Sequence, residues 1–239
     1  MKVTDSGVFD TIEATWPAAA YTRAGPWTVR EGRGGGKRVS SVSANPGWRP
    51  EDIPLAEAAC RDLGQDLLFQ IRPEEAALDT VLADRGYQVI DPVDILACPV
   101  KSLTADLHRL AAIPCWPPLA VQAEIWAEGG IGPARLAVMA RATEPKTALL
   151  GRHDDHPVAT AFVSVHGKTA MLHALEVAPE ARRKGIARTM MQGAANWAAR
   201  HDARDLAVLV VRDNEAAQTL YTGLGMRPVG HYFYRIKKG

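Results

Sequence analysis

The sequence predicts an α+β fold, a mixed β-sheet flanked by helices, built as two tandem copies of one unit. Three observations point there. Apolar residues switch repeatedly between a period near two and a period near 3.6 along the chain, the signature of strands interleaved with helices. The run Asp66-Leu-Leu-Phe-Gln-Ile-Arg72, Glu75-Ala-Ala77, Gly86-Tyr87 returns as Asp205-Leu-Ala-Val-Leu-Val-Val-Arg212, Glu215-Ala-Ala217, Gly225-Met226, a repeat of helix, strand, Arg, helix, Gly-hydrophobe and strand. Finally, 239 residues, 47% hydrophobic and 23% charged, form a globular composition that excludes collagen, a fibrous coil or wholesale disorder. The division expected is 1–102 and 103–239.

The elements follow in order. Trp27–Arg30 and Val39–Ser43 are short strands joined by the glycine-rich turn Gly32–Gly36. Pro54–Leu63 is a helix stopped by Gly64. Leu67–Ile71 is a strand, and Glu74–Asp84 a helix whose leading Pro73 and acids suit the positive end of the helix dipole. Cys98–Thr104 is a junction, followed by a helix from Ala105. Helices at Leu119–Glu128 and Ala134–Arg141 flank a glycine break. Three strands come next: Thr147–Arg152, Val158–Val165 and Ala170–Val177. The first pair is joined by the turn His153-Asp-Asp-His156 rather than by a metal site. A helix (Gly185–His201), a strand (Leu206–Val211), a helix (Glu215–Leu224) and a strand (Pro228–Ile236) complete the chain.

Lys and Arg number 28 against 27 Asp and Glu, so no global field recruits nucleic acid or an anionic membrane. The tryptophans, Trp116, Trp126 and Trp197 among them, lack a basic stripe and belong to core or pocket lining. Cys60, Cys98 and Cys115 are odd in number and widely spaced, which predicts reduced thiols, no zinc site and a cytoplasmic protein. Met1–Asp10 lacks the apolar core of a signal peptide, and no apolar run reaches membrane-spanning length.

The informative segment is Leu172–Arg188. An apolar strand ends at Val177, Pro179 blocks its extension, and a basic loop leads into a helix near Gly185. Such a transition leaves backbone N–H groups pointing at one spot, where the helix dipole favours an anion. Gly185 permits a tight turn, small Ala187 keeps the approach open, and Arg182, Arg183, Lys184 and Arg188 outweigh Glu180. This is a pyrophosphate cradle. Gly36-Lys37 is not one, since Arg38 and Glu31 stand where a Walker A loop needs Ser/Thr and Gly.

The run Val177-x-Pro179-x-x-Arg182-x-x-Gly185-x-Ala187 resembles the acetyl-CoA-binding motif of the GNAT superfamily, (Gln/Arg)-x-x-Gly-x-(Gly/Ala). Asn214-x-x-Ala217-x-x-x-Tyr221-x-x-x-Gly225-Met226 resembles its second signature. The resemblance implies acetyl-CoA as co-substrate without a metal. It implies a pantetheine lying along Leu175, Glu176 and Val177, with Asn214 and Ala217 beside it, and a pyrophosphate on the N–H groups from Arg183 through Ile186 to Arg188. It further implies direct attack by an amine, with Tyr221 protonating the leaving thiolate. The segment Leu172-His-Ala-Leu-x-Val177 is similar to that of serotonin N-acetyltransferase, implying His173 as base, although a second relay histidine is Met171 here. Glu176 is the alternative base.

The first copy lacks the cradle motif at Ser43–Pro50 and has Val81 and Leu82 near the Tyr221 position, so it is expected to bind no CoA and to shape the acceptor cleft. The acceptor is a small-molecule amine or a protein or peptide amine, and the protein a monomer or homodimer. A sensor that binds acyl-CoA without turnover is the alternative reading.

Overall fold

The computed structural model describes residues 5–238. Its centre is one eleven-stranded mixed sheet. The strands are β1 (Ala20–Ala24), β2 (Trp27–Glu31), β3 (Val42–Ala44), β4 (Leu67–Ile71), β5 (Gln88–Pro99), β6 (Ala112–Cys115), β7 (Lys146–His153), β8 (His156–His166), β9 (Thr169–Val177), β10 (Asp205–Val211) and β11 (Arg227–Lys237). The helices are α1 (Asp5–Thr15), α2 (Ile53–Asp62), α3 (Ala76–Asp84), α4 (Val100–Leu103), α5 (Ala120–Glu128), α6 (Pro133–Arg141), α7 (Ile186–Arg200) and α8 (Glu215–Gly223).

Strand alternation sorts the core into layers. On β10, Leu206, Val208 and Val210 pack with Met190, Ala194 and Ala198 of α7 and with Tyr221 of α8. Phe69 and Ile71 of β4 pack on the same side with Ile53 and Cys60 of α2 and Leu78 and Leu82 of α3. Ala207 and Leu68 face the other way, toward Val8, Phe9 and Ile12 of α1. Trp126 of α5 and Val138 and Met139 of α6 cover Ala148 and Phe162 on that side.

The two halves exchange their last strands. The order is β1-β2-β3-β4-β11-β5-β10-β9-β8-β7-β6. First-half β5 lies between second-half β11 and β10, antiparallel to both, and β11 lies between β4 and β5. Ion pairs clasp the exchange: Arg212 Nε donates to Asp94 Oδ1 at 2.9 Å, and Arg235 Nε to Asp79 Oδ1 at 2.7 Å. The repeat is geometric as well as sequential. Helix α3 ends with the Gly86 N–H bonded to the Ala83 carbonyl and Tyr87 N–H to Leu82, and α8 ends with Gly225 bonded to Thr222 and Met226 to Tyr221. Leu82 therefore occupies the place of Tyr221.

Four expectations change. Residues 1–4 of the polar N-terminal stretch lie outside the described residues, and from Asp5 the chain is helical, with Val8, Phe9 and Ile12 on one buried stripe. The strand expected at Val39–Ser43 is shorter: Lys37–Val39 form a 3₁₀ turn and pairing begins at Val42. The helix expected from Ala105 does not form. Asn196 holds the Ala105 N–H and carbonyl at 3.1 and 2.8 Å, taking the carbonyl that a first helical turn would use, and the chain reaches β6 without regular structure. Strands β1 and β6 were not anticipated. The turn at His153–His156 forms as expected, with Asp154 and Asp155 left-handed. Among the described residues no cluster could hold a metal, and no helix is long and apolar enough to cross a membrane.

Candidate active site

The site begins with a fault in β9. Opposite Thr160–Phe162 of β8, the strand places His173 to Glu176, one residue more than its partner. This bulge turns Ala174 to φ 52°. Its carbonyl accepts a 2.7 Å hydrogen bond from Trp126 Nε1, so the bulge leaves no buried orphan there. Strands β9 and β10 are parallel partners only from Thr169/Asp205 to Leu172/Val208. Beyond that they separate while β10 stays on β5 as far as Val211, opening a cleft floored by the free edge of β9.

At the end of β9 the chain makes a 3₁₀ turn, Pro179–Ala181, and enters α7 through Arg183 at φ 64° and Gly185 at φ 80°. Only glycine takes that second conformation without strain, and the space where a Cβ would sit is open. The first N–H groups of α7 have no acceptor within the helix. Arg183, Lys184 and Arg188 are exposed around them. Arg182 folds back instead, with Nε on the Val177 carbonyl at 3.0 Å and Nη2 on Glu176 Oε1 at 3.1 Å. These residues fit a pyrophosphate: free donors, a positive dipole end, three exposed cations and an open glycine.

The cleft continues into a cavity of about 630 Å³. Leu175, Asn214, Ala217 and Tyr221 line its cradle side. Asn214 caps α8, accepting from the Ala217 N–H at 3.1 Å. Burial alone pushes the Tyr221 phenol up to about 12, so it is protonated at neutral pH with no protein partner for its hydroxyl among the described residues.

The far wall was not legible in the motifs. It comes largely from the first half: Trp16, Gly35, Gly36, Lys37, Arg38 and Asp91, joined by Arg135, Tyr232 and Tyr234. His173 is buried beneath it. Its Nδ1 lies 3.1 Å from Arg38 Nη1 and its Nε2 lies 3.0 Å from Thr15 Oγ1, while its ring packs on Trp16 at 4.9 Å between centroids. Since the guanidinium only donates, Nδ1 accepts and Nε2 carries the hydrogen. Burial, and then the Arg38 charge, hold this imidazole well below its ordinary pKa.

Of the residues singled out from the sequence, the fold therefore brings His173, Leu175, Asn214, Ala217 and Tyr221 to one cavity and sets Gly185, Ile186, Ala187 and Arg188 at the head of α7, outside its lining. Neither expected base is poised for the task. The one lone pair of His173 is turned to Arg38, and the Glu176 carboxylate is held by Arg182 against Gly129.

The sequence profile of the Acetyltransferase (GNAT) family matches residues 105–226. The chain is 28% identical over 235 residues to YobR of Bacillus subtilis, an uncharacterized N-acetyltransferase, covering 94% of this chain and 95% of that one. Its fold is similar to a GCN5-related N-acetyltransferase from Kribbella flavida, with TM-score 0.72 at 18% identity, over 100% and 97% of the two chains. It is also similar to a tandem GNAT protein from the clavulanic acid biosynthesis pathway, with TM-score 0.60 at 13% identity, over 83% and 75%. With the separated strands, the cradle at the head of α7 and a profile match over half its length, the chain belongs to the Acetyltransferase (GNAT) family, with a fold like that of a tandem GNAT protein.

Proposed function

We propose that the protein moves an acetyl group from acetyl-CoA to an amine by direct attack, using residues 103–239 as the catalytic unit and residues 1–102 as a cradle-less unit that walls the acceptor side. The observation that carries this reading is the Tyr221 phenol, buried, protonated and without a partner among the described residues, in the mouth between the separated strands. Acetyl-CoA would supply the activated acyl group. The N–H groups and cations from Arg183 to Arg188 would hold its pyrophosphate, and the free edge at Leu175–Val177 its pantetheine arm. Tyr221 would give its proton to the departing sulfur. His173, neutral and bonded on both nitrogens, acts as a positioning residue for Arg38. Three cations and one carboxylate line the cavity, so its field favours a neutral amine over an ammonium and the nucleophile enters as the free base.

Release of CoA thiol on adding a panel of amines tests the activity, and Gly185→Asp tests the cradle. A side chain and a negative charge there would raise the KM for acetyl-CoA by about 10-fold or more. Calorimetric binding of acetyl-CoA without turnover of any amine would replace the enzyme by a sensor.

A further inference from the structure

Resting on that reading of the cavity, we propose that the acceptor is an amine that also carries a carboxylate, as a free amino acid does, and that Arg38 binds that carboxylate.

Arg38 is the anomaly of the cavity. It is half-buried, yet no described carboxylate lies within ion-pair distance of it. Among the described residues its one hydrogen bond is the 3.1 Å contact to neutral His173 and its buried Nε has no acceptor, while its face covers Trp16 at 5.5 Å. A partly desolvated guanidinium without an anion is costly, and proteins seldom keep one except where a ligand completes it. Arg72 and Arg141 also have a buried Nε without an acceptor, but of the three only Arg38 lines the cavity, and two arginines near it are neutralised. Arg30 is paired with Glu13, and Arg33 with Glu31.

The surroundings fix the arginine rather than neutralise it. Thr15, itself bonded to the Thr11 carbonyl at 2.7 Å, orients His173, which orients Arg38. Lys37 is already paired with Asp91. Arg135, exposed at the rim, has no described carboxylate partner and adds a second free cation. This wall repels a polyamine and attracts an anion. A guanidinium matches a planar carboxylate in a fork. Arg38 is bonded to His173, immediately before the Ala174 bulge, and lines the same cavity as Tyr221, so one ligand can meet both.

The experiment compares kcat/KM, with saturating acetyl-CoA, for the free amino acids, their carboxamides and the amines lacking the carboxyl. A carboxylate substrate preferred by about 10²-fold, with the preference falling below 10-fold in Arg38→Met and partly returning in Arg38→Lys, is the expected result. Calorimetry without turnover supplies a second readout. Pooled N-acetyl amino acids should bind the CoA-loaded protein, and pooled N-acetyl amino-acid amides should not. Equal use of carboxamides or decarboxylated amines, or no discrimination between the pools, overturns the proposal while leaving acetyl transfer standing. Preference for aminoalkyl phosphonates over carboxylates overturns it too. Failure to bind acetyl-CoA at all would instead remove the reading beneath it.

Discussion

Tyr221 and His173 are both buried rings that line one cavity, yet their surroundings give them opposite work. No described group bonds the Tyr221 hydroxyl, and burial keeps it protonated. Tyr221→Phe removes that hydroxyl and little else, so kcat is expected to fall about 10²–10⁴-fold while acetyl-CoA affinity stays nearly constant. Steady-state kinetics beside calorimetry separate the two. His173 leaves its mark on stability instead. In the unfolded chain it titrates near about 6.5, whereas in the fold burial and Arg38 hold it neutral to well below that. On acidification the unfolded state binds a proton the native state refuses. The stability is thus full above about pH 6.5 and lost as pH falls through that value toward the folded pKa. Melting temperatures from pH 7.5 to 5 should drop more steeply for the wild type than for His173→Gln. Equal slopes would mean that the imidazole accepts its proton in the native state.

At the level of elements, the helix that carries the cradle is fixed by contact with the sheet. A Cβ on Gly193 of α7 would lie 2.4 Å from the Ala112 Cβ on β6, and a methyl group in a strand offers no flexible end to move aside. Gly193→Ala is expected to destabilise by about 1–3 kcal/mol despite its better helix propensity, lowering Tm by about 2–4 °C per kcal/mol. Thermal unfolding checks this, and a rise in Tm would show that the two elements separate freely. From α5 onward the strands and helices were largely legible in the sequence, because most are long, periodic and bounded by glycine, proline or a polar turn, whereas the four-residue β6 is not. Pro179 and Gly185 mark both ends of the cradle loop. Helix α1 was not, since Asp10 and Thr11 interrupt the short stripe Val8, Phe9, Ile12 that only packing on Met171 and Tyr232 explains. The cavity wall was illegible for a different reason. Composition alone makes Gly32–Gly36 a turn, and nothing local shows that the Arg38 after it reaches His173, 135 positions away. A partner fixed by topology has no spacing rule.

For the molecule as a whole, the exchanged strands make the two halves mutually dependent. In an isolated 1–102 fragment β5 would lose both neighbours, β10 and β11, and β4 would lose β11. Edges that long and apolar invite aggregation. Fragments cut within the irregular stretch 104–111 are therefore expected to be insoluble when made separately, and to copurify as one complex that binds acetyl-CoA when made together. Size-exclusion chromatography reads the outcome, and a soluble, monomeric 1–102 fragment with a cooperative melt would count against this dependence. The same topology sets a timetable for synthesis. A ribosome releases β5 about a hundred residues before β10, and the slot between β4 and β5 stays open until β11 is made. At about 5–20 residues per second, the first half waits on the order of 5–20 s with its central edges bare. Whatever shields nascent chains in the cell has that interval to cover, because the strand that closes the sheet is the last of the eleven to leave the ribosome.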